Sequence, residues 1–152
     1  MIGKELTAED CFYAWHGYVE AVPKRNLDML LWLRQQGYRV SLLSNTNPYM
    51  MQWARSSDFD GEGHPIGFFF DALYLSFECK VMKPRREIFE MMLNGLQSLP
   101  EETVFIDDSV INLDGAAELG ITPILIAANP ASDVETRHLK IRDLRELIRE
   151  GE

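Results

Sequence analysis

The sequence contains little cysteine and no long apolar segment. Its two cysteines, Cys11 and Cys79, do not form a C-x-x-C pair, so both are predicted to be free thiols in a reducing compartment. No apolar run approaches the roughly 20 residues that are needed to cross a bilayer. The N-terminal segment also lacks the basic and then apolar order of a secretion signal. These absences predict a cytoplasmic protein without a membrane partner.

Basic residues are outnumbered by acidic ones. The chain has 15 lysines and arginines against 24 aspartates and glutamates, which gives a formal net charge of -9. This charge repels phosphodiester backbones and anionic lipid, so neither nucleic acid nor a membrane surface is expected as a partner. A small anionic substrate is still compatible with it, because a lysine or a bound metal reverses the field within one cleft.

Short apolar segments alternate with segments of helical periodicity. We predict strands over residues 38–43, 72–77, 104–106 and 124–126. Helices are predicted over residues 7–20, 23–36, 48–56, 84–96 and 109–119, with an amphipathic final helix at Leu144, Leu147 and Ile148. This alternation predicts an α/β fold with a parallel sheet that is covered on both faces. Ligands of such sheets bind beyond the carboxyl ends of the strands.

An acidic pair follows one of the predicted strands. Asp107 and Asp108 come directly after strand 104–106, and their adjacent charges are costly unless a cation compensates them. Carboxylate oxygens at a strand end suit Mg²⁺, which typically takes one or two carboxylates together with water and a substrate phosphate. The alternative explanation is that Asp108 only caps the helix that follows.

Two further strand ends carry groups that bind anions. Ser44 and Asn45 offer a hydroxyl, an amide and backbone N–H groups before a helix. Lys83 comes after strand 72–77 and would neutralise a phosphate. Each feature also has a simpler explanation, a helix cap and turn for Ser44 and Asn45 and an ordinary surface lysine for Lys83. The three strand ends together favour a phosphoryl-binding site.

Three motifs in this order resemble those of the haloacid dehalogenase (HAD) hydrolases. LLSNTN resembles the second motif of that family, MKP the third and FIDDSVIN the fourth, and the resemblance covers residues 23–127. AEDCFYAW resembles the end of the family's small helical cap. The resemblance implies a Rossmann-like, three-layer α/β fold, with residues 1–22 as a cap remnant and 23–152 as a HAD-like core without its first strand.

The resemblance also implies roles for six residues. Ser44 would hydrogen-bond the transferring phosphoryl group together with Asn45, and Lys83 would neutralise the phosphoryl oxygens and the nucleophile. Asp108 would bind Mg²⁺ directly and Asp107 through water, while Asn112 would hold their loop in place. In this family an aspartate attacks phosphorus and the aspartyl-phosphate is then hydrolysed. The acidic pair favours a phosphatase acting on a small phosphorylated substrate over a metal-free dehalogenase.

The first motif of the family, an apolar strand followed by D-x-D, is not found in the sequence. The single D-x-D, Asp58-Phe59-Asp60, follows the predicted helix 48–56 and opens a glycine-rich loop in which His64 is expected to be exposed to solvent. We therefore expect no activity from this chain alone. In the family the missing strand lies between the strands that end at Ser44 and Asp107. Direct pairing of those strands, a strand donated by a partner or second copy, and a longer parent protein are the possible explanations, and the last is favoured.

Two other classes of function share some of these features. A non-catalytic HAD-like protein that binds a ligand or partner is the main alternative, because the nucleophile is missing. A phospho-receiver domain also combines carboxylates, a hydroxyl residue and a lysine on a parallel sheet. Receivers have the acidic pair first and the lysine last, which is the reverse of the order here.

Overall fold

The computed structural model describes residues 7–16, 22–127 and 135–148, and the chain forms two compact units, Met1–Phe77 and Glu78–Glu152. The helices of the described residues are α1 (Ala8–His16), α2 (Lys24–Gln35), α3 (Pro48–Ala54), α4 (Ser76–Cys79), α5 (Arg86–Leu96) and α6 (Val110–Ala117). The strands are β1 (Ser41–Ser44), β2 (Ala72–Leu75), β3 (Val104–Asp107), β4 (Thr122–Ile126) and β5 (Leu139–Ile141). Short 3₁₀ helices cover Ile66–Phe68, Pro100–Glu102 and Leu144–Ile148.

Local hydrogen bonds set the ends of the helices in the first unit. The Thr7 hydroxyl accepts the backbone N–H of Asp10 at 3.1 Å, and the Asp10 carboxylate accepts the Thr7 N–H at 2.9 Å. This reciprocal capping box begins α1, at the start of the predicted helix 7–20. Pro23 precedes α2, and Gly37 ends it with a φ of +90°, a value that glycine adopts without strain.

The first unit contains a two-stranded parallel sheet. β1 pairs with β2 in the register that joins Ser41 to Ala72 and Ser44 to Leu75. Leu75 is fully buried in a core formed by side chains of α2, α3, β2 and the loop between α3 and β2: Leu27, Met51, Ala54, Phe59, Ile66, Phe69 and Leu75. Burial of these apolar groups stabilises the unit and holds the carboxyl end of β1 against that of β2.

The second unit contains a three-stranded parallel sheet in the order β3-β4-β5. The apolar stripe of α5 buries Ile88 and Phe89 completely, and the Phe89 ring meets Phe105 of β3 edge to face at a centroid distance of 5.3 Å. This contact packs β3 against the core of the unit, and Asp107 is the last residue of that strand. The Lys83–Pro84 peptide bond, which is cis, precedes α5.

Several predicted boundaries need correction. β1 begins at Ser41, later than predicted, and β2 ends at Leu75 because α4 begins at the next residue. β5 was not predicted, since its three residues are too short a run to indicate a strand. Over the described residues the final segment is a 3₁₀ helix, not an amphipathic α-helix. The predicted end of the first helix, beyond His16, falls outside the described residues.

The fold class itself is confirmed, because helices alternate with strands and every strand pair of the described residues is parallel. Each sheet lies within one unit. The division into a cap remnant at 1–22 and a core at 23–152 stays a prediction.

Candidate active site

Asp107 is the buried centre of the site in the second unit. Its side chain is 6% exposed, and Oδ2 lies 2.6 Å from Lys83 Nζ. Oδ1 accepts hydrogen bonds from the backbone N–H of Ser109 at 2.8 Å and from Asn112 Nδ2 at 3.0 Å. The structure thus brings together three of the residues that the sequence singled out, Lys83, Asp107 and Asn112.

Lys83 supplies a compensating positive charge for the acidic pair. Its side chain is 10% exposed, and Nζ lies 5.4 Å from the centroid of the Phe105 ring. Removal of an ammonium and a carboxylate from water is costly, and a short charge-assisted hydrogen bond offsets part of that cost. The explanation of Lys83 as an ordinary surface lysine is therefore wrong.

Asp108 differs from its neighbour in both exposure and contacts. It is exposed, and its carboxylate has no hydrogen-bond partner among the described residues. The N-cap of α6 is Ser109, whose backbone N–H binds Asp107 and whose own side chain makes no capping bond. The alternative explanation of Asp108 as the helix cap is thus not supported. Its carboxylate oxygens are accessible to solvent and to a cation.

The donor set at the end of β3 fits a hard divalent cation. A carboxylate offers about four acceptor positions, and Asp107 uses three of them for Lys83, Ser109 and Asn112. A direct metal bond at Asp107 would compete with these contacts, whereas the exposed carboxylate of Asp108 would not. The geometry therefore fits direct ligation by Asp108 and an outer contact through water at Asp107.

Ser44 and Asn45 lie at the carboxyl end of β1, in the first unit. Ser44 is half-buried and Asn45 is exposed. The cap of α3 is Asn47, whose side chain accepts the backbone N–H of Met50 at 3.1 Å. The explanation of Ser44 and Asn45 as a helix cap is therefore wrong, although both precede the helix as predicted.

The D-x-D sequence at residues 58–60 lies in the loop after α3 and not at a strand end. Asp60 is 4% exposed and accepts the backbone N–H groups of Glu62 at 2.8 Å and His64 at 2.9 Å. Its other oxygen lies 2.7 Å from Nδ1 of His64. Burial alone would raise the pKa of Asp60, but these hydrogen bonds outweigh burial and lower the pKa to about 2. Asp60 thus holds its own loop together and lies in a loop, not at the end of a strand.

His64 is less exposed than expected. Its side chain is 41% exposed, and its ring stacks on Phe68 at a centroid distance of 4.3 Å. The ligand atoms of Asp60, Glu62 and His64 lie within 4.8 Å of one another. Glu62 also binds Lys24 at 2.9 Å, so the contacts of this group are explained by the loop and its attachment to α2.

One contact at the candidate site has no signal in the sequence. The hydroxyl of Ser76, the first residue after β2, bonds both backbone groups of Thr46. A serine at a strand end is too common to single out. The pair is separated by 30 residues, and only the register of β1 against β2 brings them together.

A parallel α/β fold with a lysine, an acidic pair and a hydroxyl residue after its strands is typical of phosphoryl-transfer hydrolases. The comparison with protein families agrees, because the haloacid dehalogenase-like hydrolase family matches residues 4–120. The chain therefore belongs to this family of hydrolases, and the resemblance in its three motifs is confirmed.

Individual relatives are similar over most of the chain. A D-ribitol-5-phosphate phosphatase of Bacteroides thetaiotaomicron is 44% identical over 120 residues, which are 79% of this chain and 58% of that protein. A predicted HAD-like family hydrolase from Porphyromonas gingivalis has a TM-score of 0.77 at 39% identity and covers 82% of this chain and 60% of its own. A HAD family enzyme from B. thetaiotaomicron, solved with magnesium and inorganic phosphate, has a TM-score of 0.75 at 37% identity, with coverages of 83% and 63%.

These coverages mean that the chain spans about three fifths of the length of the relatives it matches.

Two other predictions from the sequence can be compared with the structure. Cys11 and Cys79 are both free thiols, as expected. None of the helices in the described part of the chain combines the length and the apolar character that a membrane span requires.

Proposed function

We propose that the protein is a Mg²⁺-dependent phosphatase that acts on a small phosphorylated metabolite through an aspartyl-phosphate. The observation that carries the proposal is the buried ion pair of Lys83 with Asp107, next to the exposed Asp108 at the end of β3. These groups combine the cation that a phosphoryl group requires with the carboxylates that a divalent metal requires.

In this proposal Asp108 holds Mg²⁺ directly and Asp107 holds it through water. The bound metal would supply positive charge to the phosphoryl oxygens. Asn112 supports the arrangement, because its bond to Oδ1 of Asp107 fixes the orientation of that carboxylate. An ammonium carries three N–H donors, so the bond of Lys83 to Asp107 is compatible with a second bond to a phosphoryl oxygen. Ser44 and Asn45 would donate hydrogen bonds to the same group.

The substrate is proposed to be a phosphorylated polyol or sugar. The 44% identity to a D-ribitol-5-phosphate phosphatase supports this class. A chain with a net charge of -9 attracts a phosphate monoester only where cationic groups are concentrated, as at Lys83 and a bound metal. A cytoplasmic location and self-association, or the donation of a strand at the sheet edge, remain part of the proposal.

The 152 residues are proposed to be inactive by themselves. Their D-x-D sequence lies in a loop, and Asp60 is engaged by that loop, so neither Asp58 nor Asp60 supplies an aspartate at a strand end. The test is phosphate release from D-ribitol 5-phosphate, measured on this chain and on the whole product of its gene. We expect release by the whole product only with Mg²⁺ and none by the chain. Release by the chain alone would overturn its proposed inactivity.

The metal role is tested in the whole product with Asp108→Asn. We expect this change to abolish Mg²⁺-dependent turnover and to weaken Mg²⁺ binding measured by calorimetry. The matched control is Glu118→Gln, which removes an exposed carboxylate at the end of α6. Equal turnover in wild type and Asp108→Asn would contradict the proposal.

A non-catalytic HAD-like protein that binds a ligand or partner is the second candidate. The observation that favours it is the loop position of residues 58–60. Binding of Mg²⁺ or inorganic phosphate by the whole product, without turnover of any phosphate ester, would support this function over the phosphatase.

A further inference from the structure

One serine hydroxyl connects the ends of the two strands in the first unit. The ladder between β1 and β2 ends at the pair Ser44 and Leu75. One residue further, Ser76 Oγ accepts the backbone N–H of Thr46 at 3.0 Å and donates to the Thr46 carbonyl oxygen at 3.1 Å. A side chain thus continues the hydrogen bonding of the sheet beyond its last backbone pair.

These two bonds use the particular chemistry of a hydroxyl. A serine is both a donor and an acceptor, so a single oxygen satisfies both polar groups of one residue. Ser76 and Thr46 are half-buried, so water competes less for these groups than it would on an open surface. Replacement of Ser76 by alanine would leave both backbone groups of Thr46 without this partner.

The chain around Asn45 is fixed on both sides as a result. Ser44 belongs to the ladder with β2, Thr46 is held by Ser76, and Asn47 caps α3 through Met50. Three successive kinds of hydrogen bond therefore surround the one exposed residue of this segment. Groups that are already held in one conformation lose little conformational entropy when they bind a ligand.

We propose that Ser76 is a positioning residue for phosphate binding by Ser44 and Asn45. The proposal rests on the proposed function, since it assigns Ser76 a part in the same site. Ser76 acts through the backbone of Thr46 and does not itself bind the phosphoryl group. Its loss alters affinity for phosphate more than it alters the chemical step.

The first test measures the two hydrogen bonds between Ser76 and Thr46 directly. Amide hydrogen exchange in the chain is followed by NMR. In Ser76→Ala we expect the Thr46 amide to exchange at least about threefold faster, with the amides of β1 unchanged. Ser76→Thr keeps the hydroxyl and should restore protection. Ser57→Ala, at an exposed serine of the same unit, is the control. Unchanged exchange at Thr46 in Ser76→Ala would overturn the proposal.

The second test measures inorganic phosphate as a competitive inhibitor of the whole gene product with Mg²⁺. Ser76→Ala is expected to raise the inhibition constant and KM about 3- to 10-fold, with kcat changed less than twofold, and Ser76→Thr should restore both. A purely structural role predicts lower stability without this split, and that result would overturn the proposal. If wild type shows neither turnover nor phosphate binding, the proposed function fails. Hydrogen exchange in that case still decides whether Ser76 holds the backbone of Thr46.

Discussion

A Cβ atom at Gly115 of α6 would lie 2.8 Å from the carbonyl oxygen of Pro84 and 3.1 Å from the Pro84 Cβ. The first distance is shorter than a real side chain tolerates, and the atom that it meets belongs to the backbone. α6 therefore approaches the segment that carries Lys83 so closely that glycine fits and a larger residue does not. This contact connects the helix after the acidic pair to the lysine that neutralises it.

Gly115→Ala is therefore expected to displace the segment at Pro84 and to destabilise the protein. Overpacking of this kind costs about 1–3 kcal/mol, which exceeds the gain from replacing a helical glycine. Urea denaturation measures the change. Gly67→Ala is the control, because a Cβ there meets nothing within 4 Å. A Gly115→Ala protein as stable as wild type would show that the segment adapts without cost.

The ion pair of Lys83 and Asp107 predicts a second effect on stability. Lys83→Met removes the ammonium and leaves a carboxylate that is only 6% exposed without its cation. We expect a loss of about 3 kcal/mol, since a buried pair broken on one side leaves an uncompensated charge. Lys80→Met, at an exposed lysine nearby, should change stability by less than about 0.5 kcal/mol.

A double-mutant cycle separates this pair from general effects of the substitution. If the loss in Lys83→Met comes from the uncompensated charge, Asp107→Asn added to Lys83→Met should recover part of it. Losses that simply add in the double variant would mean that the two side chains are not energetically coupled. Wild type, the single variants Lys83→Met and Asp107→Asn, and the double variant are all measured by urea denaturation under the same conditions.

The sequence predicts the elements of the second unit better than the contacts between them. The apolar stripe of α5 and the buried residues of β3 are explicit in the order of residues, and both elements form as predicted. The sequence does not predict the contact between Lys83 and Asp107. These residues are 24 positions apart, and only the packed core brings them together. Adjacent carboxylates indicate that a cation is needed, but not whether a lysine or a metal provides it.

Some features have no local signal at all. β5 has three residues, and two of them, Leu139 and Lys140, do not have the burial of a core strand. Gly115 looks like any glycine within a helix until the position of Pro84 is known. The apolar spacing of Leu144, Leu147 and Ile148 is typical of an α-helix, but Leu144–Ile148 form a 3₁₀ helix, so the spacing alone does not predict the helix type.

Replacement of Asn112 is expected to weaken metal binding more than it destabilises the fold. Its amide donates to Oδ1 of Asp107 at 3.0 Å, so Asn112→Ala frees that carboxylate to turn. Loss of such a supporting bond typically weakens metal binding about 10- to 100-fold. Calorimetric titration of Mg²⁺ into the whole gene product measures the effect, and Asn94→Ala, at an exposed residue of α5, is the control. Unchanged Mg²⁺ affinity in Asn112→Ala would remove Asn112 from the proposed site.

Asp60, in the loop between α3 and β2, is expected to make the stability of the protein depend on pH in the acid range. The pKa of Asp60 in the folded protein is about 2, below its ordinary value of 3.8. A lowered pKa means that the folded state binds the proton less tightly than the unfolded state, so the ionised carboxylate stabilises the fold above pH 3.8. This contribution is lost as the pH falls from 3.8 towards 2.

Asp60→Asn removes the ionisable group, so the stability difference between wild type and this variant should depend on pH. We expect wild type to be more stable at neutral pH and the difference to narrow as the pH falls through the range from 3.8 to 2. Urea denaturation followed by tryptophan fluorescence reports on this loop, because Trp53 lies 5.3 Å from Phe59 between ring centroids. Asp58→Asn, at an exposed carboxylate two residues earlier, is the control. A difference for Asp60→Asn that stays constant across this range would show that the hydrogen bonds of Asp60 do not depend on its charge.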